Sequence, residues 1–249
     1  MSPPRIVILT GAGISAESGL ATFRGSDGLW EGHRVEDVAS PEGFAANPDL
    51  VQHFYNLRRA ALGTVRPNAA HEAIARLQQA WGDKVTLITQ NVDDLHERGG
   101  SRRVLHMHGE LLRARCTDCD KVHQWQDDLD QTLRCPACRA LGTLRPDIVW
   151  FGEMPYFIDE IQEALAHADG FVSIGTSGNV YPAAGFVQTA ARCGATTMEI
   201  NLEPSLNSSM FDHQHIGSAT VEVPRWVEQM LDGTSPSLKR SRPLPPWRS

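Results

Sequence analysis

Four cysteines constrain this chain more than any other feature. Cys116 and Cys119 are followed by fifteen intervening residues and then by Cys135 and Cys138, so two CxxC turns each offer two thiolates to one tetrahedral zinc ion. The surrounding segment, about Leu111 to Thr143, is polar and lacks a long apolar run. With no core of its own, it needs the metal as its organising centre. Because sulfur fills all four positions, no coordination site stays open, and the zinc is expected to be structural and not catalytic. A redox-active CxxC pair is the alternative reading of the same spacing. Cys193 stands alone in AARCGAT and is expected to be a buried helix residue.

Elsewhere the chain alternates. The short apolar runs RIVIL, VTLIT, FVSIG and TTMEI read as buried parallel strands, apolar on both faces. Between or after them, HEAIARLQQAW, IDEIQEALAHAD, AAGFVQTAARCG and PRWVEQML repeat apolar residues every three or four positions, the period of a helix. Strand and helix in alternation imply βαβ units, and the expected fold class is α/β, a Rossmann-like doubly wound parallel sheet. Two stretches interrupt it: the cysteine segment, and a stretch from about Glu31 to Thr64 holding the helix DLVQHFYNLRRAAL, with Leu50, Phe54, Leu57 and Ala61 on one stripe. The expected organisation is a Rossmann-like domain of residues 1–30, 82–110 and 143–235 and a smaller discontinuous domain. The smaller one combines a helical insert, 31–81, with the zinc module, 111–142, and the cleft lies between the two domains. Residues 236–249, proline-rich and basic, are expected to form a disordered tail.

A chain of 249 residues can bury a substantial core. Its net charge of −7 argues against a general nucleic-acid binder, which needs clustered Lys and Arg, and favours small molecules or lysine-bearing segments as partners. The N-terminal apolar run, Ile6 to Leu9, is too short for a signal peptide, and no window approaches the ~20 apolar residues of a membrane span. A cytoplasmic location with no membrane partner is therefore expected.

Three further motifs carry chemistry. TGAGISAESGLATFRG follows the first strand, where glycines let backbone N–H groups approach a pyrophosphate; a structural turn is the alternative. A dehydrogenase would next need a strand ending in an acidic residue, and the polar loop ATFRGSDGLW stands there instead. QNVDDLH follows VTLIT, so its amides and carboxylate would face the same crevice, although Asn91 or Asp93 could equally cap a helix. His108, in VLHMHGEL just before the zinc module, is a candidate general base or else a core or hinge histidine. His106 would point to the opposite face of an extended segment.

Taken in order, GAGISAESGLATFRG, TQNVDDLH, HMHGEL, the four cysteines, GTSGNVYPAAG and INLEP resemble the sirtuins, and in particular the bacterial-type class that includes lysine desuccinylases and demalonylases. The resemblance implies an NAD-dependent protein-lysine deacylase with NAD as consumed co-substrate and one structural zinc. It implies that Gly11, Ala12, Gly13, Glu17, Thr22, Phe23, Arg24 and Trp30 hold the dinucleotide, and that Gln90, Asn91 and Asp93 line its nicotinamide pocket. Gly175, Thr176, Ser177, Asn201, Leu202, Glu203 and Ala219 would bind the adenosine half. His108 would be the base that draws a proton from the ribose hydroxyls once the acyl oxygen has displaced nicotinamide. The products would be free lysine, nicotinamide and O-acyl-ADP-ribose. An acylated-lysine peptide would add as a strand against Val149, Phe151 and Gly152. Tyr55 and Arg58, in FYNLRR, would bind the distal carboxylate of succinyl or malonyl lysine, a guanidinium presenting a fork to a carboxylate. From spacing alone Arg58 could equally be a solvated helix residue like Arg59. Mono-ADP-ribosyl transfer with the same cofactor is the competing activity, and a zinc-ribbon interaction module on a nucleotide-sensing domain is the competing non-enzymatic reading. Ala21 departs from the family pattern, which often carries a bulkier residue or proline there.

Overall fold

The computed structural model describes residues 2–21, 29–30 and 32–234. Thr22, Phe23, Arg24 and the expected tail at 236–249 lie outside the described residues.

All four apolar runs form strands of one six-stranded parallel sheet. Its order is His213–Ile216, Thr196–Asn201, Gly170–Ile174, Ile6–Thr10, Val85–Thr89 and Val104–His106. Ile6–Thr10 pairs in register with Val85–Thr89 on one side and Gly170–Ile174 on the other. From that central strand the chain first builds outward through Val85–Thr89 to Val104–His106, then returns to lay the remaining three strands on the opposite side. This is the doubly wound order, and the crevice at its reversal lies beyond the carboxyl ends of Ile6–Thr10 and Gly170–Ile174.

The central strands are buried on both faces because successive side chains alternate. Ile6, Ile8, Leu87 and Val172 face Ala70, Ile74 and Leu77 of the Ala69–Trp81 helix and Val223, Trp226 and Val227 of the Ala219–Leu231 helix. Val7, Leu9, Ile88 and Phe171 face Ile161 and Leu165 of Ile158–His167 and Phe186, Val187 and Ala190 of Phe186–Arg192. The Ala69–Trp81 helix thus belongs to the main sheet's core, which corrects the expected extent of the insert, 31–81; Ile74 and Leu77 find their apolar partners on the sheet.

A second core joins the Pro48–Leu62 helix to the zinc module. Val51, Phe54, Tyr55 and Leu62 pack with Leu111, Ile148 and Trp150. The expected stripe of that helix is rotated: Leu57 is 56% exposed while Tyr55 is fully buried, because Leu111 and Trp150, supplied from far along the chain, decide which face is covered. Arg59 is also buried and donates to the Leu111 carbonyl and the Asn56 side chain, so it is no solvated residue. The module itself is an antiparallel sheet ordered Val122–Gln124, Gly109–Cys116, Leu144–Ile148, with a small core of Ala114, Leu129 and Leu144 beside the cysteines. Cys193 follows the end of the Phe186–Arg192 helix and is only partly buried, which corrects its expected place inside a helix. Among the described residues no helix is long and apolar enough to cross a membrane.

Candidate active site

At the carboxyl edge of the sheet the two glycine loops meet. Gly11 N–H donates to the Ile174 carbonyl at 3.0 Å and Gly13 N–H to the Gly175 carbonyl at 2.9 Å. A Cβ on Gly13 would sit 2.7 Å from the Gly175 Cα, and one on Gly175, whose φ is +63°, 2.5 Å from the Ile14 nitrogen. Only glycine permits this crossing of backbones. It leaves a floor of peptide groups against which a phosphate group can lie.

A cleft of about 950 Å³ opens above that floor and runs to the small module. Gly11, Ala12, Gly13, Glu17, Trp30, Tyr55, Arg58, Gln90, Asn91, Asp93, His108, Val149, Phe151, Gly152, Gly175, Thr176, Ser177, Asn201, Leu202, Glu203 and Ala219 all line it. Every candidate cofactor, catalytic and acyl residue within the described residues therefore borders one space. Its size suits an extended ligand of the dinucleotide class.

His108 sits at the join between the last strand of that flank and the module. Its Nδ1 lies 3.2 Å from the Gln90 carbonyl oxygen, and a carbonyl only accepts, so Nδ1 carries the hydrogen and Nε2 is the basic nitrogen. Burial pushes its pKa below the ordinary histidine value, partly offset by the Gln90 bond, so the imidazole is neutral at pH 7. His106 is separate: its Nδ1 meets the Asn91 carbonyl and its Nε2 the Glu97 carboxylate at 2.8 Å. Burial opposes its charge, but the Glu97 contacts prevail and raise its pKa.

Asn91 and Asp93 are joined through Ser15. The Asn91 amide donates to Ser15 Oγ at 3.1 Å, and that hydroxyl donates to Asp93 at 3.1 Å. Leu95 N–H donates to the other Asp93 oxygen. Asp93 lines the cleft and accepts Leu95 N–H in an Asx turn, whereas the cap position of the Leu95–Arg98 helix is Asp94, which corrects the expectation that Asn91 or Asp93 caps it. Burial raises the Asp93 pKa against these bonds. Ser15 lies within the glycine motif but was not singled out in the sequence; its partners come from 76 and 78 residues away.

Glu17 is already engaged. Its carboxylate accepts from the Ser218 hydroxyl at 2.6 Å and from the Thr220 N–H and hydroxyl, tying the glycine loop to the start of the Ala219–Leu231 helix. On the same side Asn201 donates to the Thr176 carbonyl at 2.7 Å, and Ser173 and Thr176 share a hydroxyl bond. Leu202 and Glu203 are exposed at the rim.

At the far end Trp150 Nε1 donates to the Tyr55 hydroxyl at 3.1 Å. Burial holds the Tyr55 pKa well above the usual phenol range, so the phenol stays protonated. The Arg58 guanidinium lies 3.2 Å over the Phe54 ring and 4.7 Å from the Trp30 ring centre, and donates to the Phe54 carbonyl. Trp150 is fixed in turn: Arg145 stacks 3.4 Å over its ring and pairs with both oxygens of Glu153, which also accepts the Trp150 N–H. Arg145, Trp150 and Glu153 carried no signal of their own in the sequence. Val149 N–H donates to the His108 carbonyl, so the segment that follows is registered to the imidazole.

The four cysteine sulfurs lie within 4.8 Å of one another. Cys116 and Cys138 are 3.6 Å apart and Cys119 and Cys135 3.8 Å. A tetrahedron of sulfurs at ~2.3 Å from zinc has edges of roughly 3.8 Å, so the residues fit a structural zinc ion. Although burial opposes it, the Thr143 hydroxyl and the backbone amides of Cys119 and Asp118 pull the Cys116 thiol down to about 6. Cys138 is pushed up to about 12: an Ala140 backbone contact favours its thiolate, but the neighbouring sulfurs of Cys119, Cys116 and Cys135 outweigh it.

A doubly wound sheet with crossed glycine loops at its switch point and a metal-stapled module across the cleft defines a nucleotide-dependent α/β protein. The Sir2 family model matches residues 11–182, and the chain belongs to the Sir2 family. It is 58% identical over 233 residues to a Yersinia pestis protein named NAD-dependent protein deacylase, covering 93% of this chain and 84% of that one. Among solved structures it is similar to a Sir2 homologue in complex with NAD, with a TM-score of 0.83, 39% identity and coverage of 92% and 90%. It is also similar to a Sir2 protein bound to an acetylated peptide, with a TM-score of 0.77, 27% identity and coverage of 92% and 94%.

Proposed function

We propose that this chain is an NAD-dependent protein-lysine deacylase that prefers acidic acyl groups, succinyl and malonyl, and also accepts acetyl. The observation that carries the reading is His108: a neutral imidazole with a defined basic nitrogen, bordering the same cleft as the glycine crossing and the Tyr55 and Arg58 pair. NAD, when bound, supplies an electrophilic ribose carbon with nicotinamide as its leaving group. The backbone of Gly11 to Gly13 and of Gly175 to Ser177 would hold its phosphates, Asn91 and Asp93 its carboxamide, and Ala219 its adenine end. His108 Nε2 would accept a proton from a ribose hydroxyl, a general-base role in which position and protonation state matter equally. The acyl-lysine peptide would lie along Val149, Phe151 and Gly152. The acidic preference rests on Arg58, since a charge-assisted bond to a carboxylate is worth about 1.5–3 kcal/mol. An acetyl group offers that guanidinium no carboxylate and so gains none of this energy.

The test compares turnover of acetyl, malonyl and succinyl forms of one peptide with NAD, with products identified by mass spectrometry. O-acyl-ADP-ribose and a succinyl rate above the acetyl rate are expected. ADP-ribose attached to the protein target, with no O-acyl product, would move the assignment to ADP-ribosyl transfer.

A further inference from the structure

The zinc-fitting cluster is unevenly solvated. Cys138 is exposed and Cys119 partly so, whereas Cys116 and Cys135 are buried. A four-thiolate zinc centre carries a net double negative charge, and thiolates shielded from water need hydrogen-bond donors from the protein. Each buried sulfur has a side-chain partner. The Thr143 hydroxyl lies 3.2 Å from Cys116 Sγ, and His123 Nε2 lies 3.5 Å from Cys135 Sγ. His123 comes from Val122–Gln124, where it pairs opposite Ala114 of the strand that ends at Cys116. Thr143 immediately precedes the Leu144–Ile148 strand, and its own carbonyl receives the Thr117 N–H at 2.8 Å. Both donors are therefore set by the backbone pairing of the module and not by flexible surface segments.

We infer that His123 and Thr143 are the outer-shell donors that retain the zinc, His123 donating from Nε2 to the Cys135 thiolate and Thr143 from its hydroxyl to the Cys116 thiolate. With the hydrogen on Nε2, the His123 Nδ1 is left as an acceptor. The hydroxyl has a single proton, and the charged sulfur is the stronger claim on it than the Ala140 carbonyl, 3.5 Å away.

The experiment uses the full-length zinc-loaded protein and follows metal transfer to a coloured chelator. Loss of an outer-shell partner typically weakens metal binding by about 10–100-fold, so His123→Phe and Thr143→Val are expected to release zinc at least about tenfold faster than wild type. His123→Gln and Thr143→Ser keep a donor and are expected to stay near the wild-type rate. In cobalt-substituted protein, removing a donor should move the sulfur-to-metal charge-transfer band to lower energy, which a purely packing role would not do. Wild-type release rates together with an unmoved band in both His123→Phe and Thr143→Val would overturn the assignment. If His123→Phe fails to load metal, normal loading of His123→Gln supports the donor role; failure of both overturns it.

Discussion

His108, the proposed base, is shaped by two neighbours: the surrounding protein, which disfavours its charged form, and the Gln90 carbonyl, which sets its tautomer. A base with a depressed pKa is neutral above that value and is lost as pH falls through it. The acid limb of kcat/KM should therefore lie below ~6.5, the ordinary histidine value, and a limb at or above it would refute the assigned environment. Replacement, as in His108→Tyr, should cost about 10²–10⁴ in turnover with an unchanged circular dichroism spectrum. Arg58 gives a different signature. Arg58→Met should depress succinyl turnover by roughly 10–100-fold while changing acetyl turnover far less; equal losses in steady-state assays would remove its acyl role.

Elements show what local sequence can and cannot specify. The central strands were legible because burial on both faces makes them nearly continuous apolar runs. His213–Ile216, an edge strand reading HQHI, was not, since half-covered strands carry polar residues without a recognisable run. In the Pro48–Leu62 helix the period was readable but its phase was not, because the covering residues come from the module. The same distance effect buries Arg59, expected to be solvated, against the Leu111 carbonyl. Glycines mark the opposite extreme. Gly175→Ala should cost several kcal/mol, combining an unfavourable positive φ with collision against Gly13 and Ile14, and should weaken NAD binding measured by calorimetry. Gly32 has φ +81° but open space around its missing Cβ, so Gly32→Ala should cost only about 1 kcal/mol. Similar melting shifts for both would show that the loop crossing is not the constraint.

Across the whole molecule two conditions hold the cleft in shape. One is metal. Zinc binding in small modules is worth about 10–16 kcal/mol, comparable with the stability of a typical domain, so chelation should lower the melting temperature and abolish turnover, with re-addition of zinc restoring both. Unchanged melting after verified metal loss would contradict this. The other is pH. Burial holds His71 down at about 4, against the pull of Glu97, and burial, with the neighbouring His71 and His106, holds His96 well below the ordinary histidine value. As pH falls below ~6.5 the unfolded chain takes up protons that the folded one refuses. Stability should drop from there to about pH 4, by about 3 kcal/mol for His71 alone. Thermal unfolding at pH 7.5 and 5 should show the fall, and His71→Gln should show a smaller one; identical falls would exclude His71 as a source.

The Gly109–Cys116 strand begins immediately after the imidazole and ends on a metal-fitting thiol. One continuous tether, roughly 25 Å long at ~3.3 Å per residue, thus links the proposed base to the zinc-fitting cysteines. Slackening the far anchor frees the near end. Catalytic rate in such an enzyme becomes a gauge of metal occupancy, and a cell short of zinc would register the shortage as acyl marks left in place.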